Sequence, residues 1–326
     1  MMKFTVRNIL GWLLACLLIR LGFVKKALSK ALKGEYILSV YFHNPSKMEF
    51  EASIRWLQKQ GLQFLSVADV EQISLKQRPF PKGGVIITVD DGWQRNEANI
   101  VSIAEAYKVP VAIFVSTQPV QEGTYWWSYF SQAQKLKLSP PPVQALKQIQ
   151  NEERLLRVEE FRKKINLGRE AMTVAQVRNI SKSKFITIGG HTHSHPILIN
   201  CTDEQVYFEL LHSKKTLEKW TGKSISYFTY PNGNYSQREI TLLEELGYSL
   251  AFTCEAKQIT ENDLGNGFML PRLAFLEGAS FAENICRMTG VWKATLRKLK
   301  YAARKNKTAS ASITSPPLVT TEVVFK

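Results

Sequence analysis

The sequence predicts an α/β fold built around a parallel sheet. Two observations point there. Short apolar runs without polar alternation, such as Gly84–Val89 (GVIITV) and residues 110–115 (PVAIFV), suit strands buried on both faces. Segments with helical periodicity stand between these runs, and repeated strand–helix units define the α/β class. Seven or eight such units suit a barrel better than an open sheet. In either arrangement, function sits at the C-terminal ends of the strands.

The elements follow in order. Residues 35–42 (EYILSVYF) read as the first strand, and residues 50–60 as a helix stopped by Gly61. The bare strand at 84–89 comes next, then a helix at 97–107 and the strand at 110–115. Residues 184–188, 226–229 and 248–253 continue the strand series, with helices at 203–220 and 237–246 between them. One stretch breaks the rhythm. Residues 119–172 contain Trp126-Trp127, then Pro140-Pro141-Pro142, then a charged helix-like segment, and read as an insertion after an early strand. The two tryptophans suit either packing or an aromatic platform beside a sugar.

Charge is unevenly distributed. The chain has 43 Lys and Arg against 28 Asp and Glu, a net charge of +15. Residues 1–34 hold seven of the basic residues and no acid, and residues 287–326 hold nine with one acid. The central body is left with 27 of each sign and no bulk positive field. A nucleic-acid enzyme carries its basic face on the folded domain, so nucleic acid is not an expected partner. With 44% hydrophobic residues the chain can bury a core, and four cysteines are too few for a disulfide scaffold.

The ends explain the excess charge. Ile9 to Val24 is almost wholly apolar, interrupted by Arg20, with basic residues on both sides. Sixteen helical residues span about 24 Å, short of the roughly 30 Å hydrocarbon core. Three readings stand for this run: an uncleaved signal-anchor, a half-inserted helix, or a buried terminal helix. Residues 1–34 are expected to be a membrane anchor, and a helix lying in the membrane surface against anionic headgroups fits the basic flanks. Residues 290–304 read as a basic helix, and residues from 305 onward, rich in Ser, Thr and Pro, as a disordered tail.

Three strand ends carry unusual polar sequences. The strand at 84–89 runs into Asp90-Asp91-Gly92, and adjacent carboxylates after a buried strand are costly without a cation or a chemical task. The strand at 184–188 runs into His191-Thr192-His193-Ser194-His195, so three of the five histidines fall within five residues. Imidazole and carboxylate are the ligands of catalytic zinc sites. The third strand end, Tyr230-Pro231-Asn232-Gly233, is by itself an ordinary turn, whose backbone N–H groups could face an oxyanion.

At these residues the chain resembles the polysaccharide deacetylases of carbohydrate esterase family 4, the NodB homology domain. The first family motif reads here Thr88-Val89-Asp90-Asp91-Gly92, and the second reads His191 to His195. A third is met loosely by Tyr230-Pro231-Asn232-Gly233, and a fourth by Leu270-Pro271-Arg272. The likeness spans roughly residues 35–286. It implies a distorted (β/α) barrel of about seven strands and a divalent metal, usually zinc, held by Asp91, His191 and His195. It implies Asp90 as general base and an N-acetylated glycan as substrate, with the turn of Tyr230 and Asn232 beside the oxyanion. Trp126 and Trp127, read from the residues alone, are the candidate platform for the sugar.

Two departures stand out. The family's third motif often begins with an Arg that orients the base, and Thr229 stands in that place; Arg272 is the expected substitute. The family's late His, the acid for the leaving amine, has no counterpart, since no His follows His212. His43, at the end of the first strand, is the expected acid, with His193 as the other option and His212 expected on the surface. These departures keep two other readings open: an amidase on a non-sugar amide, and a glycan-binding pseudoenzyme.

Overall fold

The computed structural model describes residues 5–298 and 301. Eight parallel strands form one sheet: β1 (Leu38–Phe42), β2 (Gln63–Leu65), β3 (Gly84–Val89), β4 (Val111–Val115), β5 (Ile186–Gly190), β6 (Tyr227–Thr229), β7 (Leu250–Phe252) and β8 (Leu273–Ala274). Their order is β7-β6-β5-β4-β3-β1-β8, with β2 paired to β3 off this path. Every residue of β1, β3 and β4 is buried, as the bare apolar runs require.

The sheet curls until its ends nearly meet. Residues 267–270 bond to β7 through Ala251 N to Gly267 O (2.9 Å) and Leu270 N to Ala251 O (3.0 Å). Three residues later β8 pairs with β1. One short stretch therefore bridges the two edges, and the fold is a distorted (β/α) barrel.

Helix starts are set by local chemistry. Ser46 with Glu49, Thr202 with Gln205, and Ser236 with Glu239 form capping boxes that satisfy the first free N–H groups of helices Lys47–Lys59, Asp203–Thr221 and Gln237–Glu245. A fourth box, Ser66 with Asp69, starts the helix Val67–Ser74, which hydrophobic patterning alone does not reveal.

Several boundaries differ from the sequence expectation. β1 begins at Leu38 because Glu35 still bonds back to Lys30 O, closing the preceding helix. β2 and β8 have three and two residues, too short for an apolar run to betray them. The helix expected at 97–107 opens with a π turn at Glu97–Val101 before becoming α-helical. The insertion folds as helices Trp126–Lys135, Val143–Leu146 and Asn151–Arg162 around a small core of their own, including Phe130, Leu146, Val158 and Phe161. Its exit is stitched to the end of β3 by a bridge between Ala171 and Trp93. Residues 291–298 are helical, as expected. The tail expected to be disordered lies outside the described residues.

Candidate active site

The adjacent carboxylates after β3 enter opposite environments. Asp90 continues the strand, its N–H bonding to Phe42 O of β1 (2.9 Å). Its carboxylate takes a two-pronged bond from Arg272, Nη1 to Oδ1 and Nη2 to Oδ2, both 2.8 Å. Arg272 also donates to Thr88 Oγ1 and to Thr253 O, both at 3.0 Å, and lies over the Tyr41 ring. Asp90 is 3% exposed and Arg272 not at all. Burial works against an ionised Asp90, but the guanidinium outweighs it and holds the carboxyl below its usual range.

Asp91 turns the other way, helped by a left-handed backbone (φ 74°). Such a conformation is strained for a non-glycine residue and clusters at functional sites. Trp93 Nε1 donates to Asp91 Oδ2 (2.9 Å). The other oxygen, Oδ1, lies 3.4 Å from both His191 Nε2 and His195 Nε2.

The histidine loop is set by β5 and the helix Asp203–Thr221. β5 ends in Gly189-Gly190, and a Cβ at Gly189 would lie 2.9 Å from Tyr227 O and strike the Phe114 ring. His191 Nδ1 donates to Thr229 O (2.8 Å), so in the neutral imidazole it is Nε2 that is left to ligate a cation. Thr192 (φ 64°) and His195 (φ 57°) are both left-handed, and Thr192 Oγ1 accepts from His195 N (3.1 Å). Glu209 fastens the loop from beneath. Its buried carboxylate accepts from His193 N (2.8 Å), Ser194 N (2.7 Å) and Ser194 Oγ (2.5 Å). The sequence offered no sign of this role for Glu209.

The loop sends His191 and His195 to one side and His193 to the other. His193 Nδ1 meets Thr117 Oγ1 (2.8 Å), its ring abuts His212, and burial pushes it down to about 4. His193 is thus neutral at pH 7 and outside the pocket. His212 is half-buried against His193 and Phe208 rather than free on the surface.

Asp91, His191 and His195 each place one ligand atom within 4.8 Å of the others, and all three are buried. The donor set suits a divalent cation: one carboxylate and two imidazoles, one with its tautomer fixed by a backbone carbonyl. These residues floor a pocket of about 490 Å³. Asp90, His43, Trp127 and Asn232 line it too.

Two expected substrate residues lie elsewhere. Trp126 is 6% exposed and packs in the insertion core, with Nε1 donating to His195 O (3.0 Å) and the Arg154 guanidinium over its ring. Tyr230 is fully buried and donates to Phe268 O. Both are packing residues, because the apolar body of each ring is enclosed and its polar atom already bonded. Lining residues that sequence reasoning did not place at the site are Tyr41, Trp93, Val143, Lys147 and Cys254. Trp93 directly follows the Asp90-Asp91-Gly92 motif, a readable signal. Lys147 comes from the insertion, where its Nζ reaches Asn232 Oδ1 (2.9 Å), and nothing local in the sequence announces it.

A parallel barrel with paired carboxylates and two histidines at the C-terminal rim has the architecture of an α/β-barrel hydrolase. A family model described as Polysaccharide deacetylase matches residues 77–251, more than half of the chain, and the chain belongs to this family. It is therefore a hydrolase acting on carbon–nitrogen bonds. It is 23% identical over 237 residues to the poly-beta-1,6-N-acetyl-D-glucosamine N-deacetylase of Staphylococcus aureus (strain NCTC 8325 / PS 47). That alignment covers 73% of this chain and 69% of the relative. The fold is shared with IcaB from Ammonifex degensii (TM-score 0.58, 17% identity, 79% of this chain and 97% of that one). It is shared equally with the Streptococcus pyogenes deacetylase PplD in complex with acetate (TM-score 0.57, 17% identity, 78% and 98%).

Proposed function

We propose that the protein removes N-acetyl groups from N-acetylhexosamine units of a cell-envelope polysaccharide or lipid-linked glycan. The observation that carries this reading is the convergence of Asp91, His191 and His195 beside a separate, arginine-held Asp90 in one pocket. Binding a cation alone does not call for the second carboxylate. The name of the Staphylococcus aureus relative makes a β-1,6-linked N-acetylglucosamine oligomer the first substrate to test.

Asp91, His191 and His195 would hold a divalent cation, zinc by donor chemistry. A cation held there would supply Lewis acidity for the acetamide carbonyl and a more acidic water. Asp90 accepts the proton of the attacking water, and the Arg272 fork keeps its carboxylate ionised and aimed. A backbone N–H of the Asn232 turn donates to the oxygen that gains charge. Trp127 offers its ring to the sugar face. His43 lines the same pocket and donates a proton to the leaving nitrogen as the carbon–nitrogen bond breaks, giving acetate and a free amine.

Acetate release from that oligomer with added Zn²⁺, and its loss on chelation, tests the reading. Absence of acetate release from any N-acetylated glycan, with metal bound, would favour a glycan-binding pseudoenzyme. His43→Ala is expected to lower kcat by about 10²-fold with metal content unchanged. An unchanged kcat would remove His43 from the acid role.

A further inference from the structure

The two faces of the N-terminal helix pair differ in kind. Helix Val6–Arg20 and helix Phe23–Leu32 meet at Gly22, turning by 60°. Their inner face belongs to the body: Ala15, Leu18, Val24, Leu28 and Ala31 are buried in the main core. Arg7 makes a two-pronged pair with Glu283 (2.9 and 2.5 Å), whose side chain is fully buried. Gly11 rests so closely on helix Phe281–Met288 that an added Cβ would strike the Glu283 carboxylate.

The outer face is apolar and uncovered. Val6, Leu10, Leu13, Leu17 and Leu21 recur at helical spacing and are 51–75% exposed. Trp12 and Phe23 are exposed beside them. Such a stripe exceeds the scattered apolar residues of an ordinary soluble surface. Its surroundings are cationic. Arg20, Lys25, Lys26 and Lys33 are exposed, and residues 5–34 contain no acid. Trp292 lies against Gly11, which brings the C-terminal helix and its exposed Lys293, Arg297 and Lys298 to the same side of the body.

We propose that this face is a membrane-docking surface that binds an anionic lipid bilayer in its plane while the helices stay folded onto the barrel. Charge selects the occupant. A second copy of the chain would bring like charges together, whereas anionic headgroups complement them. Packing selects the mode. Among the described residues no single helix is long and apolar enough to cross a membrane. Crossing by the bent pair would strip Ala15, Leu18 and Leu28 from the core and take Arg7 from the buried Glu283 carboxylate, leaving it with Arg287 alone.

The docking also orients the pocket. Near its start the first helix bonds to Gly278 O through Asn8 Nδ2, and the neighbouring Glu277 receives the N–H of His43, a pocket residue. At the other end, Ala31 O accepts from Gly83 N at the start of β3. The pair thus runs the length of the barrel, and docking lays the pocket mouth beside the bilayer surface rather than facing away from it.

The test is co-sedimentation of the full chain with vesicles of phosphatidylcholine alone or mixed with phosphatidylglycerol. Binding is expected to be about ten-fold stronger to the anionic vesicles and to be released by alkaline carbonate. Leu10→Glu, Leu13→Glu and Leu17→Glu together are expected to abolish binding with unchanged Tm and unchanged acetate release from a soluble oligomer. Should that variant unfold, Arg20→Glu, Lys25→Glu and Lys26→Glu, all at exposed side chains, is expected to abolish only the preference for anionic vesicles. Carbonate-resistant insertion, absence of binding to either vesicle, lipid-free dimerisation through this face, or vesicle binding unaffected by either variant would overturn the proposal.

Discussion

Asp90→Asn lowers kcat for acetate release by about 10²–10⁴-fold while the protein keeps its full complement of metal. The magnitude is that of losing a positioned general base. The retained metal follows from geometry. Asp90 faces Arg272, whereas Asp91 faces His191 and His195, so the substitution leaves all three proposed ligands in place. Asn keeps the shape and can still accept one hydrogen bond, but it cannot take a proton from water. It also leaves the fully buried Arg272 without a counter-charge, so a lower Tm accompanies the loss of rate. Rate and metal stoichiometry measured on the same preparation separate the two roles. Activity that survives would defeat Asp90 as base. Metal lost together with activity would mean that Asp90 is a ligand.

Why these carboxylates could be assigned from sequence, and other residues could not, is a matter of range. Asp90-Asp91 after a bare strand and the His191–His195 cluster are local patterns, and a parallel sheet brings both to one end of the barrel. Arg272 was legible more weakly, as a lone basic residue in a late segment resembling the family's Arg-bearing one. What stayed hidden depends on contacts between distant segments. Glu209 supports the histidine loop from a helix whose pattern reads only as amphipathic. Lys147 reaches the pocket because the insertion folds on its own small core. Trp126 and Trp127 are identical neighbours in sequence, and only the packing of that core decides which is enclosed and which meets the pocket. The N-terminal segment shows the same limit. Its apolar run is plain in the sequence, but a run apolar on every face does not disclose that one side is the barrel's own core.

Arg272→Ala is the second large effect, and it separates a positioning residue from a merely structural one. The wild-type pair is enclosed, and removing one partner of a buried ion pair costs about 3–5 kcal/mol, so Tm falls. A structural role predicts that much and nothing else. A positioning role predicts that kcat also falls, about 10²-fold for a misaimed base, with normal metal content. It further predicts a shifted pH profile. Arg272 favours the charged form of Asp90, and burial favours the neutral form. Without the guanidinium burial is opposed only by the lesser attraction of His191 and His43, so the Asp90 pKa rises above the wild-type value. Below the raised pKa the base is protonated and idle, and the acid limb of kcat/KM therefore moves to higher pH. The linked stability has the matching sign. A folded-state pKa depressed below the ordinary 3.8 stabilises wild type above that pH and is lost as pH falls through the folded value. The variant lacks this contribution at neutral pH. Arg272→Lys restores a charge but not the two-pronged fork, so it recovers part of the stability and less of the rate. An unchanged kcat, or metal lost along with it, would sink the positioning role.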